Sequence, residues 1–214
     1  MKKYIAIATL LAAGTAFANA ETFTWNSSEG DFSGFKTADG ELIAITGDFS
    51  LSMTFQLEAY NADCSIQLSP DSGLDAQGSF ELGFSGATAK IYTFSGASES
   101  TVSTTGGHFS KARVVDSAAT LTFNFSNYDA TTKAYTMSIT YPTGWNASDG
   151  TWSVSFGGDV VWESLTLGGN SARPSVSNLT LSTSAYQVVP EPSTFGLLAG
   201  LGALALVGTR RRRR

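Results

Sequence analysis

The sequence predicts an all-β fold, an antiparallel two-sheet sandwich of the jelly-roll type, with an apolar segment outside it on either side. Between residues 21 and 189, apolar residues alternate with Ser and Thr over many short segments, which is the period of half-buried strands. Clusters of Gly, Asn, Asp and Ser separate these segments, and no stretch keeps helical periodicity over three turns. Ten or more short strands in a unit of this length fit two packed sheets.

Residues 1–20 have the parts of a secretory signal peptide. Lys2 and Lys3 give a positive start and an apolar run follows, while Ala18 and Ala20 are the small residues that signal peptidase accepts. The run spans 14 residues, 4–17, which is fewer than the ~20 that a membrane-spanning helix needs. We therefore expect cleavage, with the mature chain beginning at Glu21.

Three segments show the clearest alternation, 49–57, 119–125 and 135–141. They are predicted to be antiparallel strands with one buried face, and 127–133 is predicted to be a polar hairpin turn between the last two. The apolar side of these strands supplies the predicted core: Leu51, Met53, Phe55, Leu121, Phe123, Phe125, Met137 and Ile139.

Further strands are predicted where shorter apolar patterns occur. In residues 176–181 the alternation restarts after Asn178, and such a phase slip predicts a β-bulge. The remaining predicted strands are 42–46, 79–84, 90–94, 109–115, 152–156 and 160–167.

Residues 193–209 form a second apolar segment, 17 residues long and uncharged. As a helix it would be about 25 Å long, a little under the ~30 Å hydrocarbon core of a bilayer. It can still span if the arginine that follows reaches the interface and the bilayer thins slightly. The positive-inside rule predicts that the basic end stays cytoplasmic and that the bulk of the chain lies outside. The orienting residues are Arg210, Arg211, Arg212, Arg213 and Arg214.

The tripeptide Pro190, Glu191 and Pro192 stands directly before this segment. With the Gly/Ala/Leu-rich helix and the basic end, it resembles the PEP-CTERM sorting signal of Gram-negative bacteria. The resemblance implies that exosortase, a membrane-embedded enzyme, recognises the tripeptide, and it places the protein in the envelope of an exopolysaccharide-producing cell. The expected organisation is a signal peptide at 1–20, a β-sandwich domain at 21–189 and the sorting signal at 190–214.

The region between the two signals is strongly acidic. Residues 21–189 contain 6 Lys and Arg against 17 Asp and Glu, a net charge of −11, whereas the whole chain has −5. Such a charge disfavours nucleic acid, anionic lipid and phosphate-rich ligands. It is compatible with a neutral polysaccharide or with divalent cations.

Catalytic chemistry has little support in the sequence. His108 is the only histidine and Cys64 the only cysteine, which excludes a zinc site of several such ligands and an intramolecular disulfide. A Gly-x-Ser-x-Gly nucleophile motif is absent. We expect His108 to be a loop residue and Cys64 a small buried hydrophobic residue.

No cofactor is expected, although calcium stays open. The loops 71–75 and 146–150 offer oxygen ligands, but neither has EF-hand spacing and turn formation explains their residues equally well. Of the four tryptophans, Trp145 is expected to be the most exposed, because it lies in a turn-like segment. An exposed tryptophan could stack on a sugar ring.

The strand order also resembles the concanavalin A-like or laminin-G-like jelly roll of lectins, glucanases and adhesion modules. The resemblance rests on the strand 47–55, the hairpin 121–141 and the late runs 165–170 and 176–181. It implies the topology only. The glucanase pattern Glu-x-Asp-x-x-Glu would need a second glutamate after Glu29-Gly30-Asp31, where Phe32-Ser33-Gly34-Phe35 follows.

Two classes of function remain open from the sequence. The first is a non-catalytic envelope or matrix protein, with an adhesion or polysaccharide-binding sandwich. The alternative is a divergent polysaccharide hydrolase on the same scaffold, which would need two carboxylates about 5–9.5 Å apart in a cleft.

Overall fold

The computed structural model describes residues 20–58, 63–70, 78–85, 88–95, 98–102, 112–115, 117–145, 150–169 and 173–189. Within these ranges the chain is almost entirely β-structure, with one 3-10 turn at Ser27–Glu29 and one helical turn, α1, at Ala112–Val115. The strands are β1 (Glu21–Asn26), β2 (Ile43–Ile45), β3 (Phe49–Leu57), β4 (Cys64–Ser69), β5 (Phe80–Ser85), β6 (Thr88–Ser95), β7 (Ser98–Val102), β8 (Ala119–Asp129), β9 (Ala134–Thr140), β10 (Thr151–Ser155), β11 (Ser164–Gly169), β12 (Pro174–Thr183) and β13 (Tyr186–Val188).

The described strands form two large sheets and one small one. A six-stranded sheet has the order β1-β12-β3-β8-β9-β10, and a five-stranded sheet has the order β11-β4-β5-β6-β7. The third sheet contains β13 and β2. All pairs are antiparallel. The prediction of an all-β antiparallel sandwich is confirmed.

The core lies between the two large sheets. The Phe80 ring of the five-stranded sheet meets Phe123 of the six-stranded sheet at 5.0 Å between centroids, and Phe55 meets Phe84 at 5.6 Å. Seven of the eight predicted core residues are at most 1% exposed. The eighth, Ile139, is partly buried and packs against the same core. The alternation therefore identified the buried face correctly.

Aromatic rings close one end of this core. Phe49 stacks on Phe125 at 4.3 Å with an interplanar angle of 15°, and Trp162 packs edge-on against Phe49 at 5.8 Å. The indole of Trp162 is 2% exposed, and its Nε1 donates a hydrogen bond of 3.0 Å to the carbonyl of Gly78. A buried indole N–H needs such a partner, so Trp162 ties the chain after β10 to the start of β5.

The predicted bulge is present in β12. The register with β3 shifts between Val176 and Asn178, so Ser177 is the extra residue. A slip of one residue reverses which side chains face the core. Because of the extra residue, Val176 and Leu179 are buried on the same side, although they are three residues apart.

Two strand predictions are wrong in part. Within 109–115, residues 112–115 form α1, and a short apolar run of this kind does not distinguish strand from helix. The carbonyl of Val115 accepts a hydrogen bond of 3.1 Å from the Gln56 amide. Within 160–167, Val160 makes only an isolated bridge to Ile45, and β11 begins at Ser164. The strands β1, β4, β7 and β13 were not predicted from the sequence.

Among the described residues, no helix has the length and apolar character required to cross a membrane. The predicted membrane helix at 193–209 lies outside those residues.

Candidate functional site

The outward side of the six-stranded sheet consists mostly of short, uncharged polar side chains, while register also puts Gln56, Ala134 and Asp129 on this side at its margins. We call the Ser, Thr and Asn residues of its central rows the hydroxyl face. It contains 18 residues, all Ser, Thr or Asn: Thr22, Thr24, Asn26, Ser50, Ser52, Thr54, Thr120, Thr122, Asn124, Ser126, Thr136, Ser138, Thr140, Thr151, Ser153, Asn178, Thr180 and Ser182.

Strand register aligns these residues in rows. One row crosses all six strands and holds Thr22, Ser182, Ser50, Asn124, Ser138 and Thr151. The next row holds Thr24, Thr180, Ser52, Thr122 and Thr140. Neighbours are about 4.8 Å apart across strands and about 6.8 Å apart along them. The rows together cover an area of about 24 Å by 20 Å on those spacings.

Many of these side chains bond to one another across strands. The hydroxyls of Ser52 and Thr122 are 2.6 Å apart, and the Asn178 amide donates to Asn26 over 2.7 Å. Further pairs are Thr54 with Thr120 at 2.8 Å, Thr22 with Ser182 at 3.0 Å and Asn124 with Thr140 at 3.1 Å. A hydroxyl has one donor and two acceptor sites, so each hydroxyl pair keeps further bonding capacity toward the outside.

The hydroxyl face contains no charged residue. Soluble surfaces are designed with about 25–35% charged residues, whereas Asp129 is the only charged residue that the register of these six strands puts on the outward side. The charged residues of this acidic chain lie outside the central rows, for example Asp39 and Glu41 near one turn, while Asp129 lies on the same side at the hairpin end, opposite Ala134. The face is therefore a neutral hydrogen-bonding surface on an acidic protein.

A second polar cluster lies at the end of the β8–β9 hairpin. Lys133 Nζ donates to Asp159 at 2.7 Å and to the Tyr128 hydroxyl at 3.0 Å. The hydrogen bond to Asp159, followed by the one to Tyr128, raises the pKa of Lys133 above its usual value. Asp48 accepts a hydrogen bond of 2.8 Å from the Tyr128 backbone N–H. These contacts fasten the hairpin to the loops around it, which is a structural role.

The first and last of the described strands contact each other at one end of the sandwich. Ala20, from the predicted signal peptidase site, immediately precedes β1. The Glu21 carboxylate accepts a hydrogen bond of 2.7 Å from the Tyr186 hydroxyl, and the Phe23 ring meets Tyr186 at 5.2 Å. Beyond β13, the Val189 N–H donates to the Leu42 carbonyl at 2.8 Å. The other predicted processing residues lie outside the described ranges: Ala18, Pro190, Glu191, Pro192 and Arg210 to Arg214.

The remaining sequence candidates contribute no site in the described ranges. Cys64 is buried, as expected. Trp145 is half-buried and packs against the core, as do Trp25 and Trp152. His108 and the loop 71–75 lie outside the described residues, as does the loop 146–150 except for Gly150. Within the described part of the chain, no three His, Cys, Asp or Glu residues are grouped closely enough to hold a metal ion.

The alternating Ser and Thr are evident from the sequence, but the continuous face that they form is not. The signal was present in each strand separately, for example in β3. Only the strand order and register show that these segments lie side by side.

Comparison with known families identifies the C-terminal segment. Residues 188–213 match the family model of the PEP-CTERM protein-sorting motif. The predicted sorting signal is thereby confirmed, and it implies an exported protein of the Gram-negative cell envelope that exosortase sorts. A search of curated proteins found no match.

Solved structures similar to this one include two lectins. Lectin II from Ulex europaeus has 14% identity and a TM-score of 0.38, and the match covers 73% of this chain and 79% of the lectin chain. Basic winged bean lectin with Tn-antigen has 11% identity and a TM-score of 0.38, and the match covers 80% of this chain and 100% of the lectin chain. The VIP36 exoplasmic/lumenal domain, in its Ca2+/Man3GlcNAc-bound form, has 8% identity and a TM-score of 0.39. The match covers 72% of this chain and 75% of the VIP36 chain. No residue role is transferred from them.

Proposed function

We propose that this protein is a non-catalytic polysaccharide-binding module of the envelope or extracellular matrix, and that it binds neutral polysaccharide through the hydroxyl face. The single observation that supports this is the in-register array of uncharged Ser, Thr and Asn over six strands. The sorting motif supports the location, because it directs the chain to the envelope.

The chemistry of the face suits a neutral, hydroxyl-rich polymer. Sugar hydroxyls donate and accept hydrogen bonds, as do the Ser, Thr and Asn side chains. Each such contact contributes only about 0.5–1.5 kcal/mol, so binding depends on many repeated contacts along a polymer. The acidic remainder of the domain repels polyanions, which favours an uncharged chain over a uronic-acid polymer.

The sorting steps follow the order of the two signals. Signal peptidase removes residues 1–20, the helix at 193–209 holds the precursor transiently in the inner membrane, and exosortase then acts at Pro190, Glu191 and Pro192. The proposed binding needs neither cofactor nor calcium, because the hydroxyl face supplies only neutral donors and acceptors.

Co-sedimentation of the processed protein with insoluble polysaccharide tests the binding. We expect it to sediment with a neutral glucan and much less with a uronic-acid gel. Ser52→Glu places an unpaired charge at the centre of the face, and a cost of about 1.4 kcal/mol or more would weaken binding at least tenfold. Thr131→Glu adds the same charge at an exposed turn residue and should bind normally.

Equal binding by the Ser52→Glu and Thr131→Glu variants would contradict the assignment of the face. The same mixtures also test the alternative function. Release of reducing sugar from the glucan would favour the divergent hydrolase over a binding module.

A further inference from the structure

The sorting motif overlaps the folded sandwich. The match to the motif begins at residue 188, yet Val188 is the last residue of β13 and pairs with Ile43. The next residue, Val189, donates its N–H to Leu42 at 2.8 Å. The start of the motif is thus hydrogen-bonded within a sheet.

This arrangement leaves little length between the sandwich and the predicted membrane segment. Val189 and Ser193 are four residues apart, which corresponds to at most about 14 Å of extended chain. The interfacial layer on one side of the hydrocarbon core is about 5–7 Å thick. It therefore takes up about half of this length. With β13 docked, the acidic sandwich would lie against the membrane surface, and an enzyme would have almost no room at the tripeptide.

The last three residues before the tripeptide are held weakly. Among the described strands, β13 pairs only with β2, so its release breaks the hydrogen bonds of a single short ladder. Gln187 is exposed, and Val188 is 39% exposed. Tyr186 differs, because its ring packs on Phe23 and its hydroxyl bonds to Glu21. Local opening at such chain ends has a low free-energy cost.

We propose that residues 187–189 form a strap that detaches from β2 when the sorting enzyme binds, while Tyr186 remains as the fixed anchor. This inference rests on the proposed sorting by exosortase. Enzymes that read an extended peptide do so through its main-chain N–H and C=O groups, and β2 occupies those groups in the docked strap. Detachment frees them and adds three residues, about 10 Å of reach.

A disulfide lock tests the strap. Gln187 and Ala44 are register partners, and facing residues of an antiparallel pair have the Cα separation that a disulfide needs. The full chain would contain Gln187→Cys and Ala44→Cys in a Cys64→Ala background. The control pair, Ala134→Cys and Ser155→Cys, joins β9 to β10 at another register position outside the hydroxyl face and leaves the strap unlocked.

Intact mass of the protein, after incubation with membranes that contain exosortase, gives the result. We expect the oxidised strap-locked chain to keep its C-terminal segment, with processing at least tenfold slower than in the control pair. Reductant should restore the rate of processing. Processing of the oxidised locked chain at the control rate would contradict the proposed detachment. It would show that the enzyme recognises the motif while residues 187–189 remain paired with β2. A wild-type chain that is never processed would instead overturn the proposed sorting, and the strap with it.

Discussion

The Tyr186 hydroxyl donates a hydrogen bond of 2.7 Å to the carboxylate of Glu21, and so joins β13 to β1, the last and first of the described strands. Glu21 is also the residue expected to become the mature N-terminus. The contact therefore brings together the ends of the segment between the two predicted processing signals. It also leads to the first prediction.

Tyr186 should lose its proton at a higher pH than an unfolded tyrosine. The hydrogen bond to Glu21 is the main cause of its raised pKa, followed by desolvation and by the charge of Glu21. The contact stabilises the fold fully below the ordinary tyrosine pKa of about 10, and this contribution is lost as pH rises through the higher folded pKa. Titration of labelled tyrosine by NMR should show a lower Tyr186 pKa in Glu21→Gln. An unchanged titration in that variant would contradict the contact.

Phe123→Ala should be strongly destabilising. Phe123 is fully buried and packs on Phe80 across the two sheets at 5.0 Å. Loss of a buried phenyl ring costs about 3–5 kcal/mol of unfolding free energy. Denaturant unfolding measures the change, with exposed Thr151→Ala as the control expected to stay within about 0.5 kcal/mol. A loss below about 0.5 kcal/mol for Phe123→Ala would mean that the buried face is misassigned.

Trp162→Phe should destabilise the protein although the residue stays aromatic. The change removes the buried donor to the Gly78 carbonyl, and an unsatisfied buried acceptor costs about 1–3 kcal/mol. The smaller ring also leaves space beside Phe49 and Phe156. Equilibrium unfolding of the variant measures the loss, and wild-type stability would show that the indole N–H is not needed.

Replacing Pro190, Glu191 and Pro192 together with Ala should leave export intact but keep the C-terminal segment attached. The physical reason is that two prolines hold the junction extended and accessible. Fractionation with intact-mass measurement should find the variant in the inner membrane with its arginines still present. Wild-type mass and location would mean that the tripeptide is incidental.

Deleting Arg210 to Arg214 should act differently, because these charges are predicted to fix orientation rather than recognition. Protease accessibility of the sandwich in intact cells would report the change. We expect a fraction of the shortened chain to have lost its single orientation. Uniform wild-type orientation of the shortened chain would contradict this role.

The sequence by itself determined the fold class, the buried face of the main strands and the sorting motif. Each depends on local information. The alternation in β3 and β8 places Phe55 and Phe123 inward whatever their neighbours are, and the motif is a contiguous segment. The phase slip at Asn178 was also visible, because a bulge changes the period within one strand.

Only the tertiary structure decided which strands are neighbours. Ser52 and Thr122 are 70 residues apart in sequence but 2.6 Å apart in space, and no local pattern gives that pairing. The neutral array, the junction of Glu21 with Tyr186 and the docking of the motif's first residue on β2 all depend on it. Local alternation fixes which side of a strand is buried, whereas register between distant strands is set by the packing of the whole core.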